Sequence, residues 1–139
     1  MTPKEYLMQI KYLDDEINTK LELVSSLRLR VGGLSSPKLG DKVQTSDKKD
    51  FSSCVDKIID EEEMINKKID ELVDLKRKIN EQIDSLDNPL HRIVLINYYI
   101  LDHNLGDIAR IFNYEPGYVR HVHGWALEAF RNKHKDLFD

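Results

Sequence analysis

The stretch "FSSCVDKIIDEEEMINKKIDELVDLKRKINEQIDSL" (Phe51–Leu86) decides the fold. From Phe51, the positions Val55, Ile58, Glu62, Ile65, Ile69, Leu72, Lys76, Ile79, Ile83 and Leu86 follow one another in alternating steps of four and three, and most are aliphatic. That alternation keeps a single seam on one face of a helix, the pattern of a coiled coil. No glycine or proline interrupts it, so one long helix is expected over 51–87. The intervening "DEEE", "NKK" and "LKRK" read as its solvated faces.

The same pattern appears earlier. Tyr6, Ile10, Leu13, Ile17, Val24, Leu27 and Val31 keep the alternation with Lys20 in one seam position, predicting a helix over about 4–31. Between the two lies "GGLSSPKLGDKVQTSDKKD" (residues 32–50), a loop by its glycine, serine, proline and charge. Two matched amphipathic helices across a long loop predict an antiparallel hairpin over residues 1–87. Lys20, Glu62 and Lys76 weaken such a seam, but polar seam residues can fix register or oligomer state.

Composition narrows the function. Of 139 residues one third are charged, and no apolar run approaches the ~20 residues of a membrane span. The N-terminal stretch lacks the apolar core of a secretory signal, so an intracellular place and no membrane partner are expected. A single cysteine, Cys54, excludes an internal disulfide and a CxxC motif. The net charge of −4 is unevenly spread: residues 51–88 carry 11 acids against 6 bases. Between residues 110 and 135, by contrast, Arg110, Arg120, Arg131, Lys133 and Lys135 oppose only Glu115 and Glu128. Any phosphate contact must use that end.

"SLDNPLHR" ends the long helix, because Asn88 before Pro89 is pushed out of the α region and Pro89 suits a first turn. Residues 88–139 then read as a small domain of three helices, about 89–101, 105–112 and 116–132. Its expected core is Ile93, Val94, Ile108, Ala109, Phe112, Val119, Val122 and Phe130. Asn104 can cap the second of these helices, with Asp107 three residues on. Asn113 tolerates the left-handed conformation of a break, and Pro116 opens the third helix. A helix, a tight turn and a helix have the spacing of a helix-turn-helix.

At about 100° per residue, Val119, Val122, Ala126 and Phe130 fall within roughly 60° and form the buried stripe of the third helix. Gly117, Arg120, His121, Gly124, Glu128 and Arg131 project oppositely, with Tyr118 and Trp125 on one flank. His121 and His123 lie about 160° apart, which no single metal can bridge on one helix. His123 is therefore expected to be packed. No cofactor or metal is expected, and with no glycine-rich phosphate loop or α/β pattern the chain does not read as an enzyme. An outward face with arginine, histidine and two side-chain-free positions suits close approach to duplex DNA.

Residues 88–131 also resemble region 4 of sigma factors, the helix-turn-helix that binds the −35 promoter element. The matching segments are "RIVLINYYI", "DIARIFNY" and "YVRHVHGWAL". The whole arrangement looks like small prophage-encoded proteins of Gram-positive bacteria, related in their tails to phage late-gene transcription activators. Departures exist: Asp102 stands where that family's turn usually has glycine, and Gly106 where an acid is common. Ile96, Asn97 and Tyr98 replace Arg-Leu-Arg, and Glu115 replaces a Ser/Thr cap.

The resemblance implies a phage-encoded transcription regulator in the cytoplasm of a bacterial host, contacting double-stranded DNA, with host RNA polymerase as a further candidate partner. Candidate DNA contacts are Gly117, Tyr118, Arg120, His121, Gly124, Arg131, Lys133 and Lys135. A homodimer through the coiled coil offsets the small number of basic groups. The alternatives are an interaction adaptor of the transcription machinery and a small-terminase-like packaging protein. The expected fold is all-α: a long antiparallel coiled-coil hairpin followed by a three-helix helix-turn-helix domain.

Overall fold

The computed structural model describes residues 1–35 and 45–138, and every regular element among them is helical. Helix α1 runs Pro3–Ser35 and α2 Thr45–Asp84. The three short helices that follow are α3 (Pro89–Leu95), α4 (Leu105–Phe112) and α5 (Pro116–Lys133). A π-helical turn, Ile96–Ile100, extends α3, and a 3-10 turn, Lys135–Leu137, follows α5. The hairpin and the small helical tail are both present. The expected loop 32–50 is shorter, because α1 continues through Ser35 and α2 already begins at Thr45; positions 36–44 of that loop lie outside the described residues.

Residues 14–71 form one compact unit and residues 1–13 with 72–139 another. In the first, Glu16 pairs with Lys68 at 2.8 Å and Lys20 with Glu61 at 3.4 Å, so a step forward on α1 is a step back on α2, as antiparallel packing requires. Arg28 pairs with Glu62. Ile17 and Val24 of α1, with Cys54, Ile58 and Ile65 of α2, are buried. Most of the expected seam in this unit is not: Phe51 and Ile69 are exposed, and Lys20, Leu27, Val31, Val55 and Glu62 are only partly covered. The reason is geometric. A helix meeting a single neighbour buries a narrow stripe, here one residue per heptad, while the alternate seam positions lean toward solvent.

The second unit holds the larger core. Thr2 and Glu5 start α1 with a reciprocal capping box: Glu5 N–H donates to Thr2 Oγ1 at 3.1 Å and Thr2 N–H to Glu5 Oε2 at 3.0 Å. The next residues, Tyr6, Leu7 and Ile10, are buried, as are Ile79, Ile83 and Leu86 of the α2 end and Leu95 and Phe130 of the tail. The Phe130 ring stands 6.0 Å from Tyr6 and 6.1 Å from Phe138, and Tyr6 Oη donates to Gln82 Oε1 at 2.8 Å. His134 Nε2 lies 3.0 Å from the Gln82 carbonyl and 3.1 Å from Ser85 Oγ. The last turn of the chain is thereby fastened to the end of α2.

Within the tail, Val94, Ile108, Ala109, Val119 and Val122 make one buried cluster edged by Leu90, Tyr98 and Leu105. Two expected core members differ. Ile93 is only partly covered, and Phe112, the last residue of α4 before the turn, is 37% exposed; Leu95 and Tyr99 are buried instead.

Candidate nucleic-acid interface

The local chemistry of the tail sets how α5 is presented. Asn88 caps α3 by accepting from Leu90 N–H at 2.9 Å. The π-helical turn then carries buried Asn97, whose amide donates to the Ile93 carbonyl at 2.8 Å and whose Oδ1 lies 3.0 Å from His103 Nδ1. Asp102 adopts φ 60°, a left-handed conformation that costs an L-residue more than it would cost glycine. Asn104 caps α4 through Asp107 N–H at 2.7 Å. Asp107 does not close a capping box but pairs with Arg110 at 2.6 Å. Asn113 closes α4 with φ 61°, ψ 48°, and its N–H bonds the Ala109 carbonyl. Pro116 opens α5, so helix, left-handed break and helix follow as expected.

On α5 the predicted stripe is the buried one: Val119, Val122, Ala126 and Phe130 are all covered. Tyr118, Arg120, His121, Gly124, Glu128 and Arg131 are exposed, and Gly117 is half-buried. His123, on the covered side, has its Nε2 2.7 Å from Tyr99 Oη and its ring stacked on Tyr99 at 5.6 Å. Burial and the positive charge of Lys4 hold its pKa below the usual imidazole value. His121 instead stacks on Trp125 at 5.9 Å, so the two histidines occupy different surroundings.

Two positions on the outer face are glycine without an internal steric reason. A Cβ built on Gly124 meets nothing within 4 Å, and one on Gly117 meets only Arg120 Nη2 at an ordinary 3.6 Å. Neither has a left-handed φ. A mid-helix glycine costs about 1 kcal/mol relative to alanine, so Gly124 weakens α5 with no gain inside the protein. The same geometry shows the Arg120 guanidinium folded over Gly117 in the first turn, where Glu115 offers the amides no side-chain cap.

The candidate residues do not all share one face. Lys133 lies nine positions beyond Gly124, about 180° around the helix, and lines a groove with Asp87, Asn88, His91 and Asn132. Lys135 is exposed in the 3-10 turn beyond α5. The structure adds an aromatic row: Tyr114 and Tyr118 at 5.6 Å, Tyr118 and Trp125 at 6.5 Å, then His121. Trp125 is 53% exposed, and Ile111 of α4 is also open. Tyr114 and Trp125 fall outside the predicted set of contacts; the signal for Trp125 is its spacing of four from His121 and seven from Tyr118.

Among the described residues no three His, Cys, Asp or Glu side chains are grouped to hold a metal, and no helix is long and apolar enough to cross a membrane. The model of the family described as "Protein of unknown function (DUF1492)" matches residues 33–118, and the chain belongs to that family. The match takes in α2, α3 and α4 and ends in the first turn of α5. No curated protein and no solved structure matches the chain.

Proposed function

We propose that this DUF1492 member is a DNA-binding transcription regulator of phage origin that lays the outer face of α5 in the major groove of duplex DNA and acts as a homodimer. The carrying observation is Gly124: a helix-weakening residue at an exposed position where a Cβ would meet nothing in the fold. A bare helix surface lets the backbone approach a groove closely. Arg120 and His121 flank that bare strip and can reach base edges, and Arg131 continues it toward backbone phosphates. Uncapped first-turn amides beneath Arg120 suit a phosphate at the start of the helix.

The test is selection of bound fragments from a phage genome, followed by affinity measurements on the selected site. Gly124→Ala should raise thermal stability by about 0.5–1 kcal/mol while weakening binding. Arg120→Ala should cost roughly 1–3 kcal/mol on the specific site and relax sequence preference. A Gly124→Ala protein that is both more stable and equally tight on every fragment refutes the close-approach reading.

The aromatic row supports a second reading. Tyr114, Tyr118 and Trp125 form a continuous exposed surface of a kind enriched at protein interfaces. An adaptor that docks on a component of the transcription machinery such as RNA polymerase would use that flank. Trp125→Ala separates the two readings, abolishing capture of the polymerase in one and leaving it unchanged in the other.

A further inference from the structure

The hairpin unit 14–71 has two unlike flanks. On one, the ion pairs Glu16–Lys68 and Lys20–Glu61 interrupt what apolar surface there is. On the other, where the ion pair is Arg28–Glu62, Leu21 and Arg28 of α1 with Glu62, Ile65, Asn66 and Ile69 of α2 line an open groove of about 410 Å³. Leu21, Ile59 and Ile69 are 47%, 49% and 39% exposed. Along α2, Phe51, Val55, Ile59, Glu62, Asn66 and Ile69 recur at steps of four, four, three, four and three. That spacing is a second seam beside the one buried against α1.

The geometry points to a second copy of this chain as the occupant of the groove, with the α2 helices of two protomers packed antiparallel along this flank. The inference rests on the homodimer reading above and names its face, direction and register. A two-fold interface must be self-complementary, matching residue i to residue j and j to i. Setting Ile59 against the partner's Ile69 satisfies this and brings Glu62 beside the partner's Asn66. The partner's Ile59 then enters the groove between Leu21, Ile65 and Ile69 as a knob enters a hole.

Charge selects the direction. A parallel, in-register pair sets Glu62 against the partner's Glu62 and Arg28 against the partner's Arg28. The antiparallel pair instead places the Arg28–Glu62 ion pair against a neutral amide that can hydrogen-bond it. Asn66 is thus the polar seam residue that fixes register, a role for which a seam asparagine is well suited.

The test uses the full chain with Cys54→Ser, so that introduced cysteines are the only thiols. Ile59→Cys and Ile69→Cys proteins are oxidised separately, and again after being unfolded together and refolded as a mixture. A disulfide forms only where Cα atoms approach within ~7 Å, so non-reducing gels read the register directly. A covalent dimer several-fold more abundant in the mixture than in either protein alone is the expected result. Cross-linking of each variant with itself indicates parallel pairing and overturns the inference. Light scattering that shows a dimer with no cross-link in any sample places the contact elsewhere, overturning the inference but not the dimer. A monomer of the unmodified chain at tens of micromolar overturns both. If the cysteine variants lose helicity, Ile69→Lys in the native chain supplies the reading: full helicity with loss of the dimer is expected, and a persistent dimer is contrary.

Discussion

Helices α2 and α5 carry apolar residues at nearly the same spacing, yet only α5 buries all of its stripe. Val119, Val122, Ala126 and Phe130 are each covered almost completely, whereas on α2 Ile58 and Ile65 are buried and Ile59 and Ile69 stand half open. The difference is the number of neighbours. α5 packs on α3 and α4, and its Phe130 also meets Tyr6 and Phe138, so a broad stripe is enclosed from several sides. In the 14–71 unit one helix meets one other, and the enclosure is narrow. Identical patterning thus yields a finished core in one region and an unfinished one in the other.

The comparison breaks most sharply at Phe130, which is fully buried among aromatic partners. Phe130→Ala should cost roughly 3–5 kcal/mol, read as a shift of the urea midpoint of the unit formed by residues 1–13 and 72–139. A loss below about 1 kcal/mol would mean that this core is not the one that holds the tail.

Ile65 and Ile69 sharpen it next, since they are one turn apart on the same helix and differ only in cover. Ile65→Ala should cost roughly 2–5 kcal/mol and Ile69→Ala under about 1 kcal/mol in dilute protein. Because both replace isoleucine by alanine in a helix interior, propensity cancels from the difference. Equal losses would show that Ile69 is buried in solution as the alternating seam implies. A loss at Ile69 that grows with protein concentration belongs to the second copy.

Much of this contrast is legible in the residues themselves. Local chemistry is written in single letters, so the breaks at Asn88-Pro89 and Asn113, the Asn104 cap and the Pro116 start follow from the sequence, and so does the buried stripe of α5. Seam periodicity tells that α1 and α2 face each other but not how wide the enclosed stripe is, because width depends on neighbours in space. Phe112 shows the same limit: its spacing fits the core, but the helix ends at it and turns away. Composition over-draws the loop for a related reason, since Gly32, Gly33 and Ser46 disfavour a helix locally without forbidding it. On the candidate interface, the outer face of α5 follows from angular placement alone. Lys133 does not: charge groups it with Lys135 and Arg131, while its angle puts it with the α2–α3 side.

The smallest expected effect lies where α5 meets the π-helical turn. His123 Nε2 lies within hydrogen-bond reach of Tyr99 Oη at 2.7 Å while the Tyr98 ring stands 4.9 Å away. Burial, with Lys4 adding to it, holds the imidazole pKa below its ordinary 6.5, and burial raises that of Tyr99, so the phenol stays protonated. In the unfolded chain His123 regains its ordinary value and binds a proton first as pH falls. Between the two pKa values the unfolded state therefore holds more protons, and stability drops as pH is lowered from about 6.5 toward the folded value. His91 is depressed by burial as well and acts in the same direction, whereas Glu16, lowered by its hydrogen bond from Lys68, acts only as pH falls through the carboxylate range. Melting curves from about pH 7.5 to about pH 5 should accordingly fall in midpoint. His123→Gln, which can still hydrogen-bond Tyr99, should flatten that fall, and His91→Gln should flatten it less because His91 is the less buried of the two. An unchanged slope in His123→Gln would assign the acid sensitivity to His91 and remove the Tyr99–His123 contact from the account of how α5 is held.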